Sequence, residues 1–361
     1  VELSPFPYQG PLEPAQVRGR DVLVDDLVER VTARRVTALL GPRRYGKTSV
    51  LRRVAADMAE VSTVWVDLYE VTSMADVAVR FDDALAATTG RFAAAARQVA
   101  ASVALNLGVV KVELSGPARQ RPDPALVFHS LLQVLVEAAE RRATMLVIDE
   151  FSSIGRVEGA AGMLRTALQR HYRDLGIVFA GSHPSIMRTL FTSRPEPFYG
   201  QADLLEIGAL SPSAVEEIVA SGFAASGRQA GKVTGLIAAF AGGHPQRTMQ
   251  LADACWRRTP VGATAGAEVW AGALEEVRGS AAESLERLFS GLGRGEGDVL
   301  RAVARSGSAY GAEADLLDLA KGTARGARRT LLDRGDLADT PAGLVVVDPI
   351  LADWLRRRFP V

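Results

Sequence analysis

A chain of 361 residues exceeds one ordinary domain, and two or three are expected, each large enough to bury a core. With 48% hydrophobic and 23% charged residues it reads as globular rather than disordered. Its formal net charge of +0 excludes a global pull toward nucleic acid or membrane, so only local patches supply one.

Residues 1–20 are Pro-rich and irregular, and the opening "VELSPFPYQGPLEP" lacks the basic start and apolar core of a signal peptide. Helical spacing follows over 21–32, a buried strand over 35–41 and a helix over 47–60. A second strand is expected at 62–70, then a helix capped by Ser73, and an Ala-rich helix at 91–105. Residues 108–116 suit a short strand or hairpin, "GPARQRPDP" a loop, and 125–142 a helix. Strands at 143–150, 176–182 and 202–210 bracket a helix at 157–173, which argues for a parallel sheet covered on both faces. Beyond it Ser213 and Glu216 spell a capping box. Helices run to about Arg258, broken at 241–246, and again over 266–290. The Gly-rich 291–298 is the best linker. Three short helical patterns, a hairpin turning at Thr340–Gly343 and a last helix make a winged-helix pattern. The expected domains are 1–210, 211–290 and 291–361.

The stretch "LLGPRRYGKTSV" carries the chemistry. Gly41, Gly46, Lys47 and Thr48 fit G-x-x-x-x-G-K-[ST] between a strand and a helix. Glycines let backbone N–H groups close around phosphate, and the helix N-terminus adds a positive dipole end. Lys47 would reach the β- and γ-phosphates, and the Thr48 hydroxyl would ligate Mg²⁺. The whole loop is assigned to the nucleotide: Gly41, Pro42, Arg43, Arg44, Tyr45, Gly46, Lys47, Thr48 and Ser49. Lysine occurs only as Lys47, Lys111, Lys232 and Lys321, so its place in a motif is informative. "LVIDE" ends a strand on two acids: Asp149 for the Mg²⁺ shell and Glu150 to polarise the attacking water. Ser182, at the tip of a neighbouring strand, either contacts the γ-phosphate or water or caps the helix after it.

In order along the chain stand "VRGRDVLVDDL", "LLGPRRYGKTSVL", "VWVDLYE", "LVIDEF", "AGSHPSIM", "PFYGQA" and "GGHP". Together with the closing "VVVDPILADWLRRRF", this resembles the archaeal-type ATPases, a prokaryotic branch of the AAA+-like and STAND P-loop NTPases. The resemblance implies an ASCE-type five-stranded parallel sheet with another strand between the loop strand and the Asp-Glu strand, then a helical lid. It places Arg20 near the adenine, Ser182 as a sensor, and His244 and Pro245 in a lid motif on the nucleotide. Read alone, "GGHP" is also an ordinary helix break before a proline start. Relatives often carry "YGR" where this chain has Gln201, so the resemblance implies slow turnover unless Arg43, Arg44, Arg188 or Arg194 compensates.

Lys321, Arg325, Arg328 and Arg329, with Arg334, lie on the third tail helix, and Arg356, Arg357 and Arg358 on the last. A helix in this position enters the DNA major groove in helix-turn-helix modules. The other reading is a solvated arginine face on a module that packs against the ATPase core. The expected function is an ATP- and Mg²⁺-dependent ATPase switch that engages double-stranded DNA, a protein partner or its own copies through the winged helix. The alternatives are a nucleotide-stabilised scaffold with negligible turnover and an ATP-gated transcription regulator. Cys255 is the only cysteine, so no intrachain disulfide forms and a reducing cytoplasm is expected. No membrane partner is expected, because no apolar run approaches the ~20 residues of a span.

Overall fold

The computed structural model describes residues 2–103, 105–115, 122–340 and 343–359. Five strands, β1 (Val36–Leu40), β2 (Ser62–Asp67), β3 (Thr144–Asp149), β4 (Leu175–Gly181) and β5 (Asp203–Glu206), form one sheet in the order β2-β3-β4-β1-β5. Every neighbouring pair is parallel. Every residue of β3 and β4 is buried, as strands covered on both faces must be, and both read as continuous apolar runs. β4 lies between β1 and β3, the arrangement that the resemblance implied.

The chain divides into two compact units. One holds Val22–Gly41 and Val50–Ile207, that is, the sheet and its helices. These are α1 (Asp21–Thr32), α2 (Lys47–Asp57), α3 (Met74–Ala86), α4 (Gly90–Ser102), α5 (Val110–Ser115), α6 (Pro124–Glu140), α7 (Ala160–Gln169) and α8 (Pro184–Thr192), with the ends of α1 and α2 reaching across the division. The other unit takes the start of the chain to Asp21, Pro42–Ser49 and the chain from Gly208 onward. It contains α9 (Pro212–Ala225), α10 (Val233–Ala241), α11 (Pro245–Arg257) and α12 (Ala267–Ser290). A winged helix follows: α13 (Arg294–Ser306), α14 (Ala312–Leu316), α15 (Lys321–Arg334), the antiparallel pair β6 (Leu337–Thr340) and β7 (Gly343–Val346), and α16 (Pro349–Arg358). One apolar core joins Phe6, Leu251 and Leu274 to Leu300, Leu331 and Leu355.

Three local expectations are corrected. The strand or hairpin expected over 108–116 is absent from its described part, 108–115. Val110–Ser115 is helical, and the N–H groups of Gly108 and Val110 donate to the buried Asp82 carboxylate at 2.8 and 3.1 Å. That acceptor is remote in sequence, so local pattern did not reveal it. Ser211, not Ser213, caps α9, its Oγ accepting from Ala214 N at 3.1 Å, because Pro212 suits the first helical position. In the Gly-rich 291–298 only the first three residues connect helices. The Glu296 carboxylate accepts from Gly293 N at 3.2 Å and starts α13 there. The expected loop over 116–121 and the hairpin tip at Pro341 and Ala342 lie outside the described residues.

Candidate functional site

Within the sheet unit the strand register pairs Leu40 with Gly181 and Ile148 with Phe179, so β1, β4 and β3 end along one edge. Gly41 follows β1, where a Cβ would lie 2.3 Å from the Ile207 side chain, so no larger residue fits. Asp149 is 6% exposed, and its Oδ1 accepts from Glu150 N at 3.0 Å. Glu150 sits in the left-handed region at φ 50°, a conformation that costs about 1 kcal/mol and recurs at functional sites. Its carboxylate is held from β4: Ser182 Oγ donates to Oε1 at 2.5 Å and Ser182 N approaches Oε2 at 3.4 Å. The start of α8 falls to His183, whose Nδ1 lies 3.3 Å from Ser152 Oγ. Ser182 is thus the partner of Glu150, which neither sequence reading had anticipated.

Behind these groups Phe151, Phe179, Phe191 and Phe198 pack with ring centroids 4.4–5.9 Å apart. Each is at most 2% exposed. Phe151 follows Glu150 directly, so the cluster fixes the backbone that carries the acid. The apolar residues in "IDEF" and "PFYG" were visible, but not their convergence.

The loop runs from Pro42 to the start of α2, with left-handed backbone at Arg44 (φ 67°) and Gly46 (φ 88°). Lys47 is 5% exposed, and its Nζ donates to the Pro42 carbonyl at 2.9 Å. Ser49 Oγ accepts from Leu12 N at 3.0 Å, which anchors the chain's start to the loop. Tyr45 meets His244 edge-on, ring centroids 5.1 Å apart. Arg20 donates to the Gly208 carbonyl at 2.8 Å, and burial lowers its pKa to about 10.

His244 caps α11, with Nδ1 accepting from Arg247 N at 3.3 Å. It is 3% exposed, and burial pulls its pKa down to about 4, against the opposing pull of Asp348. The ring is therefore neutral at pH 7, and with Nδ1 accepting, Nε2 carries the proton. Before it, Gly243 (φ 77°) approaches the Leu210 carbonyl so closely that a Cβ would lie 2.1 Å away. Arg247 makes a bidentate pair with Asp348, Nε to Oδ1 at 2.9 Å and Nη2 to Oδ2 at 2.5 Å. Burial raises the Asp348 pKa, but the Arg247 guanidinium outweighs it and leaves the carboxyl below its ordinary value. A chain of contacts, buried at His244 and Arg247 and half-buried at its ends, thus leads from Tyr45 to the start of α16. Sequence reading found His244 and missed Arg247 and Asp348, although Asp348-Pro349 reads locally as a helix cap.

Each group in its own unit has chemistry that suits a magnesium–triphosphate. The Thr48 hydroxyl and the Asp149 carboxylate are each hard oxygen ligands of the kind Mg²⁺ takes. The Lys47 ammonium and the N–H groups opening α2 suit phosphate oxygens.

On α15, Arg328 reaches Asp339 of β6 at 2.9 Å and Arg334 reaches Glu296 and Asp336 at 3.3 and 3.0 Å. Arg329 lies 3.9 Å from Asp333. Lys321 and Arg325 have no ion pair among the described residues, so they are the uncompensated part of this face. On α16, Arg357 and Arg358 lie 3.8 and 3.7 Å from Glu275 and Glu286, while Arg356 donates to the Ala304 carbonyl. Gln201 approaches the Tyr199 carbonyl at 3.4 Å, and Arg188 is paired with Glu206. No helix among the described residues is long and apolar enough to cross a membrane.

No protein-family model matches the chain, and no curated protein matches it significantly. Solved structures do. The Walker-type ATPase of Pyrococcus abyssi superposes with a TM-score of 0.72 at 17% identity, over 98% of this chain and 99% of that one. The ORC2 protein of Aeropyrum pernix, in its ADPNP–ADP complexes, gives 0.59 at 17% over 97% and 95%. The ORC1 protein of Aeropyrum pernix in complex with DNA gives 0.52 at 13% over 94% and 93%. At these identities the likeness is one of fold, and it agrees with the architecture implied by the archaeal-type ATPase resemblance. The chain has a P-loop NTPase fold, a five-stranded parallel sheet continued by helices and a winged helix.

Proposed function

We propose that this protein is an ATP-binding, magnesium-dependent ATPase of the archaeal type that acts as a nucleotide switch. One observation carries the reading: the glycine loop with Lys47 and Thr48 leaves the end of β1, while Asp149 and Glu150 end β3 and Ser182 holds the Glu150 carboxylate. In this reading Lys47 binds phosphate oxygens, and Thr48 and Asp149 hold Mg²⁺, which supplies charge neutralisation at the phosphates when bound. Glu150 orients and deprotonates water, and Ser182 keeps its carboxylate in place. His244 and Pro245 sense the loop through Tyr45, and Arg20 belongs to the base-binding end. The proposed division into a core (1–210), a lid (211–290) and a winged helix (291–361) assigns output to the last part. Lys47→Ala is expected to abolish ATP–Mg²⁺ binding in calorimetry, and unchanged affinity sinks the assignment. Glu150→Gln is expected to keep binding and stop phosphate release.

The output we propose is double-stranded DNA engaged by α15, chiefly through Lys321 and Arg325, with Arg328 and Arg329 exchanging surface carboxylates for phosphates. Such exposed pairs are worth only ~0–1 kcal/mol, so exchange is cheap. The DNA-bound ORC1 neighbour favours this reading over a purely protein partner. Affinity for a duplex should fall steeply with salt, and Lys321→Ala with Arg325→Ala should flatten that slope by about two charges. A scaffold with negligible turnover is the second reading, favoured by Gln201 and by the engagement of Arg188 with Glu206. Phosphate release with and without duplex separates the two.

A further inference from the structure

We infer that the amino end of the sheet carries a second anion site, for a small molecule bearing a diphosphate group. The observation is a cavity of about 750 Å³ where β2 and β3 begin, inside the sheet unit. Its chemistry comes from Glu60, Ser62, Thr63, Arg91, Arg141 and Arg142. Its volume lies within the range of small-molecule sites, roughly 300–1,000 Å³. Three arginines and one glutamate line it, in a chain whose formal net charge is +0. The side chains of Arg91 and Arg142 have neither an ion pair nor a hydrogen bond among the described residues, whereas the Arg141 side chain donates to Gln98 Oε1 at 3.1 Å. Many other arginines of this chain have acids beside them, such as Arg53 with Asp57 and Arg278 with Asp353.

The start of α4 adds donors. Thr89 and Gly90 line the cavity, and the Thr89 side chain makes no capping bond, so the first-turn N–H groups lack that partner. Guanidinium forks match phosphate oxygens two at a time, and three of them exceed what a single monoanion needs. No aromatic ring lines the cavity to stack a base, so recognition falls on the anion. The site also gives a role to the Ala-rich segment that begins at α4, which the nucleotide reading leaves without one.

The test uses the full chain carrying Lys47→Ala, so that the loop after β1 does not compete. Inorganic pyrophosphate and ADP are titrated by calorimetry at low salt, with circular dichroism as the check on folding. The expected result is one-to-one binding of pyrophosphate, weakened at least tenfold by Arg91→Gln with Arg142→Gln and less by Arg91→Lys. Binding of ADP at similar affinity identifies a diphosphate carried by a nucleotide, and its failure a free one. Three outcomes overturn the proposal: no binding of pyrophosphate, binding indifferent to the arginine changes, or its displacement by a short DNA duplex that binds more tightly. None of these bears on the ATP reading, which stands or falls with Lys47 in the otherwise unaltered chain.

Discussion

In the sheet unit, β3 and β4 are buried along their whole length, and the acids Asp149 and Glu150 come after the last apolar residue of β3. In the helical unit, charge enters the interior as bidentate ion pairs, Arg247 with Asp348 and Arg278 with Asp353. Apolar packing is non-directional and survives small displacements. A desolvated ion pair depends on geometry and on whatever else competes for the charge. The first arrangement suits a platform that holds reacting groups still. The second suits a part that changes partners, and in the proposed ATP reading an anion near Tyr45 and His244 would be a competitor of the right sign for Arg247.

The comparison breaks most severely at the phenylalanine cluster. Phe179→Ala is expected to cost ~3–5 kcal/mol in urea unfolding, because the cavity would open in a core with no polar group to relax into it. Next is Asp348→Asn, which strands the Arg247 cation and should cost about 3 kcal/mol. The double change Arg247→Met with Asp348→Leu should recover most of that loss. If it does not, the pair is not what holds α11 to α16.

Acid distinguishes the units further. The folded His244 value of about 4 lies below the ordinary 6.5, since burial disfavours the charged ring. Between those values the unfolded chain takes up a proton that the folded chain refuses. Stability from this group is full above pH 6.5 and falls as pH drops toward 4, by on the order of 3 kcal/mol in all. His244→Gln should flatten the dependence of the unfolding midpoint over that window. The smallest expected effect is Ser182→Ala, about tenfold in kcat with KM unchanged, since it removes only the hydroxyl that holds Glu150. A rise in KM instead would place Ser182 on the substrate.

Much of the candidate site was legible because its signals are local. Glycines at fixed offsets before Lys47 and Thr48, an apolar strand ending in Asp149-Glu150, and alternating strands and helices each need only a few neighbouring residues. The order of the strands came with the resemblance rather than with periodicity. The Ser211 cap and the Glu296 start of α13 are local misses, but the other features missed join parts of the chain that are not neighbours in sequence. Asp82 starts α5, Ser182 reaches Glu150, Asp339 neutralises Arg328, and Asp348 meets Arg247, 101 residues away. The sequence by itself determined what kinds of group this protein owns and which strand ends carry them. Tertiary structure alone decided which charges are paired, which histidine is kept neutral and which arginines remain uncompensated, because desolvation and ion pairing depend on distance in space.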